Sequence, residues 1–423
     1  LRFVWIKNGE VQADVQLTTL SAIEGKPAPL DPTCVKELSD LLRGFLNVSP
    51  VGIGAAKELA VELATRCRLL RDFMVEELIR QQKEEKQGRL NSLYQSFKTQ
   101  VFSDLKLKEF ADAYAQTLGY GLFLAKFNAA ATDKIDLYNA KKFVPQTFRL
   151  LRELVDFLDV LDHENYKDIK WVVEEIMSLI NGLDLMSLQD NLSFDHRKVH
   201  HRIKTKSEDE ARLFERDPYI YFYEDFLNAY DSETRESRGV YYTPPPVVNF
   251  IVRTIDNILV DIFEIKDGLA DRNRVTVLDF ACGTGTFLLE IFQQVFEKLG
   301  ISSGKTNAVI RQHLLRNMFG FEFLIAPYTI AHLKLSQFLE EKGHPLQGNE
   351  RLQVFLTNTL EPIEPQMNAF LPALSEEAEN AQKVKDKPIL VITGNPPYSG
   401  HSRNKGKWIK DLINTYKFVD GKP

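Results

Sequence analysis

The stretch "RVTVLDFACGTGTFLLEIFQQVFEKLG", residues 274–300, carries a short apolar run through a turn with two glycines into an amphipathic helix that stops at Gly300. The same order then repeats. "NMFGFEF" leads into "APYTIAHLKLSQFLEE", and two further apolar runs follow, "LQVFLTN" and "PILVIT". Strand and helix alternate, and this argues for a parallel sheet covered on both faces, an α/β doubly wound arrangement of Rossmann type.

Ahead of this region the pattern differs. "RFVWIKNGEVQADVQL" alternates around Asn8-Gly9 and predicts an N-terminal β-hairpin. From Pro32 to Asp231, apolar residues recur three and four apart in "VKELSDLLRGFL", "AKELAVELATRCRLLRDFMVEELI", "FADAYAQTLGYGLFLAKF", "FRLLRELVDFLDVL" and "IKWVVEEIMSLI". These predict amphipathic helices. The expected division is a hairpin and linker at 1–31, an α-helical domain at 32–231 and the α/β domain at 232–423. The aromatic run "PYIYFYEDFLNAY" admits two readings: a surface that stacks bases, or a helix start buried against the next domain, which is favoured.

Composition narrows the class. With 44% hydrophobic and 26% charged residues over 423 positions, the chain can bury two or three cores. No apolar run is long enough to predict a membrane helix, and no secretory start is seen, so a cytoplasmic protein with reduced thiols at Cys34, Cys67 and Cys282 is expected. The three cysteines form no metal-binding spacing, and His196, His200 and His201 read as a solvated basic loop rather than a metal site. The net charge is −6. From Val240 onward, 20 basic residues balance 20 acidic ones, so the acidic excess lies before it and no basic wrapper for nucleic acid is present.

The glycine turn is the first candidate site. Gly283 and Gly285 let the backbone turn tightly and approach a ligand, and the helix start beyond offers N–H groups to a negative group. A dinucleotide fingerprint would place a third glycine at Leu288, and no GK[ST] follows, so neither a dinucleotide loop nor an ATP phosphate loop is indicated. Asp279 ends the first strand and Glu322 the second. An acid in the second position can accept both hydroxyls of a ribose, and the combination points to a nucleoside-type ligand. The 43 residues between these acids exceed the usual spacing, and "ISSGKTNAVIRQHLLRN" can hold an extra short helix.

The fourth strand delivers Asn395-Pro396-Pro397-Tyr398 to the rim that carries the glycine turn. The prolines fix φ and remove donors, leaving a stiff set of acceptors: the Asn395 amide oxygen and the Pro396 carbonyl. Tyr398 adds a stacking face. Such a turn suits a planar amine whose lone pair is delocalised into a ring, because acceptors on both N–H bonds favour a pyramidal, nucleophilic nitrogen.

"GVYYTPPPVVNFIV", "DFACGTGTF" and "NPPY", in that order, resemble the motifs of gamma-class S-adenosylmethionine-dependent adenine-N6 DNA methyltransferases. "FYEDFLNAYDSETRESRGVYYTP" is similar more narrowly to the type ISP single-chain restriction–modification enzymes. The resemblance implies S-adenosyl-L-methionine as cofactor and double-stranded DNA with a flipped adenine as partner. It places Tyr242 and Thr243 over the methionine part, with Asp279, Ala281, Gly283 and Gly285 lining it. Glu322 would take the ribose hydroxyls. Asn358, where many relatives carry Asp, would meet the adenine amine of the cofactor. Asn395, Pro396, Pro397 and Tyr398 would hold the target base. Thr243 before the prolines also reads as a helix cap. Such methyltransferase sheets have seven strands, and four are predicted here. The chain therefore reads as part of a larger protein whose C-terminal target-recognition domain, and in many relatives an N-terminal nuclease or motor domain, lie elsewhere. Two other readings stay open: methylation of a protein glutamine amide, and a non-catalytic nucleic-acid-binding module.

Overall fold

The computed structural model describes residues 2–7, 10–17, 32–46, 52–84, 88–101, 105–194, 217–230, 243–300, 304–360, 370–396 and 407–417. The chain divides into two compact units, Leu1–Gly52 and Ile53–Pro423.

The first unit holds the expected hairpin. Strands β1 (Arg2–Lys7) and β2 (Glu10–Gln16) pair antiparallel from Arg2↔Gln16 to Lys7↔Glu10, with an irregularity between Trp5 and Ile6. Arg2 pairs with Asp14 across the strands. Helix α1 (Pro32–Leu46) belongs to this unit, burying Leu41 and setting Phe45 edge-on to Trp5 at 6.4 Å.

In the second unit, helices come first: α2 (Ala56–Lys83), α3 (Arg89–Gln100), α4 (Leu107–Asn128), α5 (Arg149–Val155), α6 (Lys167–Asn181), α7 (Leu185–Asn191) and α8 (Pro218–Tyr230). The three-and-four spacing explains α2, whose Leu59, Ala60, Leu63, Ala64, Cys67 and Leu70 are fully buried. The predicted single helix over "FRLLRELVDFLDVL" is interrupted. It tightens to a 3₁₀ turn at Asp156–Val160, where Phe157 meets the rings of Tyr114 at 5.7 Å and Tyr166 at 5.4 Å. Helix α8 is the aromatic run. Its Tyr219, Phe222, Tyr223, Phe226 and Tyr230 are buried, and Tyr120 of α4 lies 4.8 Å from the Phe226 ring. The rings are committed to the core, so the base-stacking alternative does not hold for them.

The remainder runs α9 (Pro245–Asp261), β3 (Val277–Asp279), α10 (Thr286–Leu299), α11 (Gly304–Val309), β4 (Met318–Glu322), α12 (Ile325–Glu341), β5 (Gln353–Leu356), α13 (Pro372–Lys385), β6 (Val391–Thr393) and α14 (Lys407–Lys417). All four predicted strands form, and α11 with the π turn at Ile310–Leu314 fills the long interval before β4. The sheet is parallel, in the order β5-β4-β3-β6. Alternate residues face opposite layers: Val277, Met318, Val354 and Leu356 join the large core, whereas Leu278, Phe319, Phe321 and Phe355 join a smaller one under α13. The large core is continuous with the helical layer, and polar ties reinforce it: Glu153 accepts from the Ala373 N–H at 2.9 Å and Gln100 donates to Ser375 at 3.0 Å. Among the described residues no helix is long and apolar enough to cross a membrane.

Chain order decides where a ligand fits. From β3 the chain adds β4 and β5 on one side, then returns to place β6 on the other. Loops leaving β3 and β6 therefore diverge, and a crevice opens between the carboxyl ends of these two strands.

Candidate active site

Asp279 closes β3 with its carboxyl fully buried. Oδ1 accepts the Ala281 N–H at 3.2 Å, whereas Oδ2 has no hydrogen-bond partner among the described residues. Burial pushes this carboxyl up to about 7, helped by the negative Glu322 and opposed by the Ala281 N–H and Lys334.

The turn beyond is held from all sides. Cys282 donates its N–H to the Phe321 carbonyl and Gly285 to the Cys282 carbonyl, both at 2.8 Å, and Gly283 donates to Glu322 Oε2 at 2.7 Å. The N–H groups of 281, 282, 283 and 285, within the turn ahead of the helix start, are thus engaged within the protein. The turn offers a shaped surface rather than a phosphate cradle. A Cβ built on Gly283 would meet no atom of the described residues within 4 Å, so that face is open among them. Gly285, at φ 78°, starts α10 in the left-handed region, and a Cβ there would lie 3.2 Å from Ala331. Gly285→Ala is expected to cost about 1–2 kcal/mol from the conformation alone, read as a lower midpoint in urea denaturation.

Glu322 closes β4. Its Oε1 accepts the Leu324 N–H at 2.7 Å, and burial raises its pKa against the pull of the surrounding N–H groups. Asn358, after β5, is mostly buried and accepts the Leu360 N–H through Oδ1 at 3.0 Å. Next to it, Thr359 donates to the Phe280 carbonyl at 2.7 Å, lashing the end of β5 to the end of β3. Thr359 was not anticipated; only its place beside Asn358 could have suggested it.

Asn395 and Pro396 leave β6 through Gly394. Asp279 lies opposite Thr393 in the sheet, and the Phe280 N–H donates to the Thr393 carbonyl at 3.3 Å. Gly394 adopts φ 148°, and a Cβ there would sit 2.8 Å from Asp279 Oδ1 and 3.3 Å from the Phe280 ring. The Asn-Pro turn thus starts against the Asp279 carboxyl. Gly394→Ala combines that clash with a conformation few residues other than glycine adopt. It is expected to cost about 1–3 kcal/mol, measurable as a lower melting temperature.

Tyr242, Pro397 and Tyr398 lie outside the described residues, as do the basic stretches at 196–206 and 401–406. Thr243 stands before α9, whose N-cap is Pro244 with no side-chain bond, so Thr243 does not serve as that cap. Helix α9 packs on α10 through Asn249, which donates to Glu290 at 2.5 Å.

Sequence reading also missed a buried ion pair beneath the turn, between Lys334 of α12 and Asp217 at 2.6 Å. The signal was present: a lysine flanked by Leu333 and Leu335 in a largely apolar helix has to find a buried partner.

Residues 215–422 match the family model of the N-6 DNA methylases. This segment is an N-6 DNA methylase domain. The methylase domain contains every candidate site residue discussed above. Three solved structures resemble the chain: the DrdV–DNA complex (TM-score 0.56, 19% identity, 98% of this chain and 35% of that one); a nuclease-deletion mutant of the type ISP restriction–modification enzyme LlaGI with a DNA substrate mimic (0.56, 16%, 90% and 28%); and the ATP-dependent type ISP enzyme LlaBIII bound to DNA (0.57, 19%, 86% and 22%). At these identities the likeness establishes a shared fold, and it extends through the helical layer as well as the methylase domain. The chain spans about a third or less of the length of those proteins. No curated protein matches the sequence.

Proposed function

We propose that the methylase domain transfers a methyl group from S-adenosyl-L-methionine to the N6 amine of an adenine rotated out of double-stranded DNA, within a restriction–modification or phage-defence enzyme. The observation that carries this reading is the approach of Gly394 to Asp279, which sets the Asn395 turn beside the glycine turn at the switch point of the sheet. The family supports DNA methylation, and the structures of similar fold are DNA complexes of restriction–modification enzymes or of DrdV.

The residues present suit this cofactor. Asp279 Oδ2 is a buried acceptor without a partner among the described residues, fitted to an ammonium group. Gly283 leaves bare backbone where a methionine chain can lie, and the engaged N–H groups suit a molecule without phosphate. Glu322 would accept the ribose hydroxyls, and Asn358 would meet the cofactor's adenine edge. Thr243 and Tyr242 would close over the methionine end. When bound, the cofactor supplies a sulfonium-activated methyl group.

This chain's own residues have to place the target amine and redistribute its electrons. The Asn395 amide oxygen and the Pro396 carbonyl would accept its two N–H bonds, freeing the nitrogen lone pair, while Tyr398 would stack on the extruded base and Pro397 would stiffen the turn. No strong base is needed, because the nitrogen loses its proton only after it has become cationic. Rate then comes mostly from alignment and acceptor placement.

The test is incubation with methyl-tritiated S-adenosylmethionine and with either duplex DNA or a protein mixture, followed by nucleoside analysis. Label in N6-methyl-2′-deoxyadenosine is expected. Label confined to a glutamine amide would replace this reading with protein methylation. Cofactor binding without transfer to any acceptor would favour a non-catalytic module.

A further inference from the structure

Lys334 is fully buried in the middle of α12 among Ile330, Ala331, Leu333 and Leu335. An ammonium in such a place is costly unless paired. Its Nζ donates to Asp217 Oδ2 at 2.6 Å and reaches Thr286 Oγ1 at 3.3 Å and Thr284 Oγ1 at 3.4 Å. Thr286 also donates to Asp217 Oδ2 at 3.3 Å. The other Asp217 oxygen accepts the Ile220 N–H at 3.1 Å in the first turn of α8. One ion pair therefore joins three elements: the aromatic helix α8, helix α12 and the glycine turn.

The two threonines bracket Gly285, and Thr284 is buried with its hydroxyl on the Lys334 ammonium, whereas a Cβ on Gly283 would meet no atom of the described residues. Their hydroxyls are gripped from beneath, so the ion pair sets the pitch of the turn that the ligand would touch. A pair that served only to fill the core could be replaced by apolar side chains without loss. Its placement under the turn argues for more.

We propose that Lys334, held by Asp217, is a positioning residue for the cofactor turn, clamping Thr284 and Thr286 from the side opposite to S-adenosylmethionine. The inference rests on the methyltransferase reading above. The lysine's charge has a second consequence. Among the described residues, the charged and titratable groups around Asp279 are Glu322 on β4, Cys282 in the turn and Lys334 on α12, and of these only Lys334 favours the Asp279 carboxylate. Without it, Asp279 would hold its proton to higher pH.

The experiment measures S-adenosylmethionine binding by calorimetry between pH 5.5 and 8.5, with melting temperatures alongside, for the protein and for Lys334→Met, Asp217→Asn/Lys334→Met and Thr284→Val. Lys334→Met leaves Asp217 buried and unpaired, so both stability and affinity should fall. The double variant removes both charges and should regain most of the melting temperature, yet bind about tenfold more weakly, with its affinity falling away at a higher pH than in the parent. Thr284→Val keeps the ion pair and should weaken binding about threefold to tenfold with little change in melting temperature. The inference is overturned if the double variant regains stability and binds with the parent affinity and pH profile. If that variant does not fold, unchanged binding by Thr284→Val overturns it. Failure of the parent protein to bind S-adenosylmethionine at all would instead sink the methyltransferase reading, and the inference with it.

Discussion

Asn395→Ala should abolish most methyl transfer, lowering the single-turnover rate by about 10²–10³-fold, the usual effect of deleting one preorganised polar group at a reacting atom. S-adenosylmethionine binding should change little, because the cofactor surfaces assigned above come from the ends of β3, β4 and β5 and from the segment before α9, whereas Asn395 follows β6. The split between rate and binding separates this role from a structural one. The adenine amine is unreactive because its lone pair is shared with the ring. A side-chain acceptor that rotates the N–H bonds out of plane acts on the chemical step alone. Asn395→Asp is a sharper probe. It keeps acceptor oxygens but would add a third carboxyl close to Asp279 and Glu322, two acids already raised by burial. It should run slowly too, with activity shifted toward lower pH, where the new carboxyl is neutral. Wild-type rates in both variants would show that the turn does not touch the reacting amine.

The second large effect is on the pH dependence of cofactor affinity. Asp279 stands at about 7, above its ordinary 3.8, because it is buried. In the free protein it therefore carries a proton below pH 7. A ligand ammonium requires the carboxylate, so binding below pH 7 must release that proton. Affinity should then fall about tenfold for each pH unit below 7 and level off above it. Asp279→Asn should bind weakly at pH 8 and show a nearly flat profile through this window. Stability has the opposite sign. Between about 3.8 and 7 the folded protein holds a proton that the unfolded chain has lost, so the ligand-free protein loses stability as pH rises across that range and levels off above it. Asp279→Asn should remove this loss, appearing more stable than the parent at pH 8. Calorimetric titration and urea denaturation at pH 5.5 and 8 read both effects. A flat binding profile in the parent would remove Asp279 from contact with the cofactor's charge.

The sheet was legible because its strands are short apolar runs, each read as a unit with the turn or helix beyond it. "PILVIT" and "NMFGFEF" leave little choice once a parallel sheet is assumed. The hairpin was legible from alternation. Less visible was α3, Arg89–Gln100, where a charged run masks the helix start and the polar face dominates. The tightening at Asp156 depends on ring packing with Tyr114 and Tyr166, residues that only the fold brings together. At the site, Asp279, Gly283, Gly285, Glu322 and Asn395 announced themselves by standing at strand ends. The closeness of Gly394 to Asp279 needed the strand order, with β6 beside β3, which no local pattern encodes. The engaged N–H groups of the turn were also invisible, because their acceptors include the Phe321 carbonyl and Glu322, some forty residues away. Lys334 signals a buried charge by its setting, but its partner Asp217 lies 117 positions away, where no local pattern points to it.

The polar ties between the helical layer and α13 also bear on how the protein is made. Gln100 meets Ser375 across 275 positions, and Glu153 meets Ala373 across 220. At ribosomal speeds of about 5–20 residues per second, each early partner emerges roughly 10–55 seconds before its late one. The amino-terminal helices must wait through that interval with one flank exposed, which makes it a natural point for chaperones to engage the nascent chain.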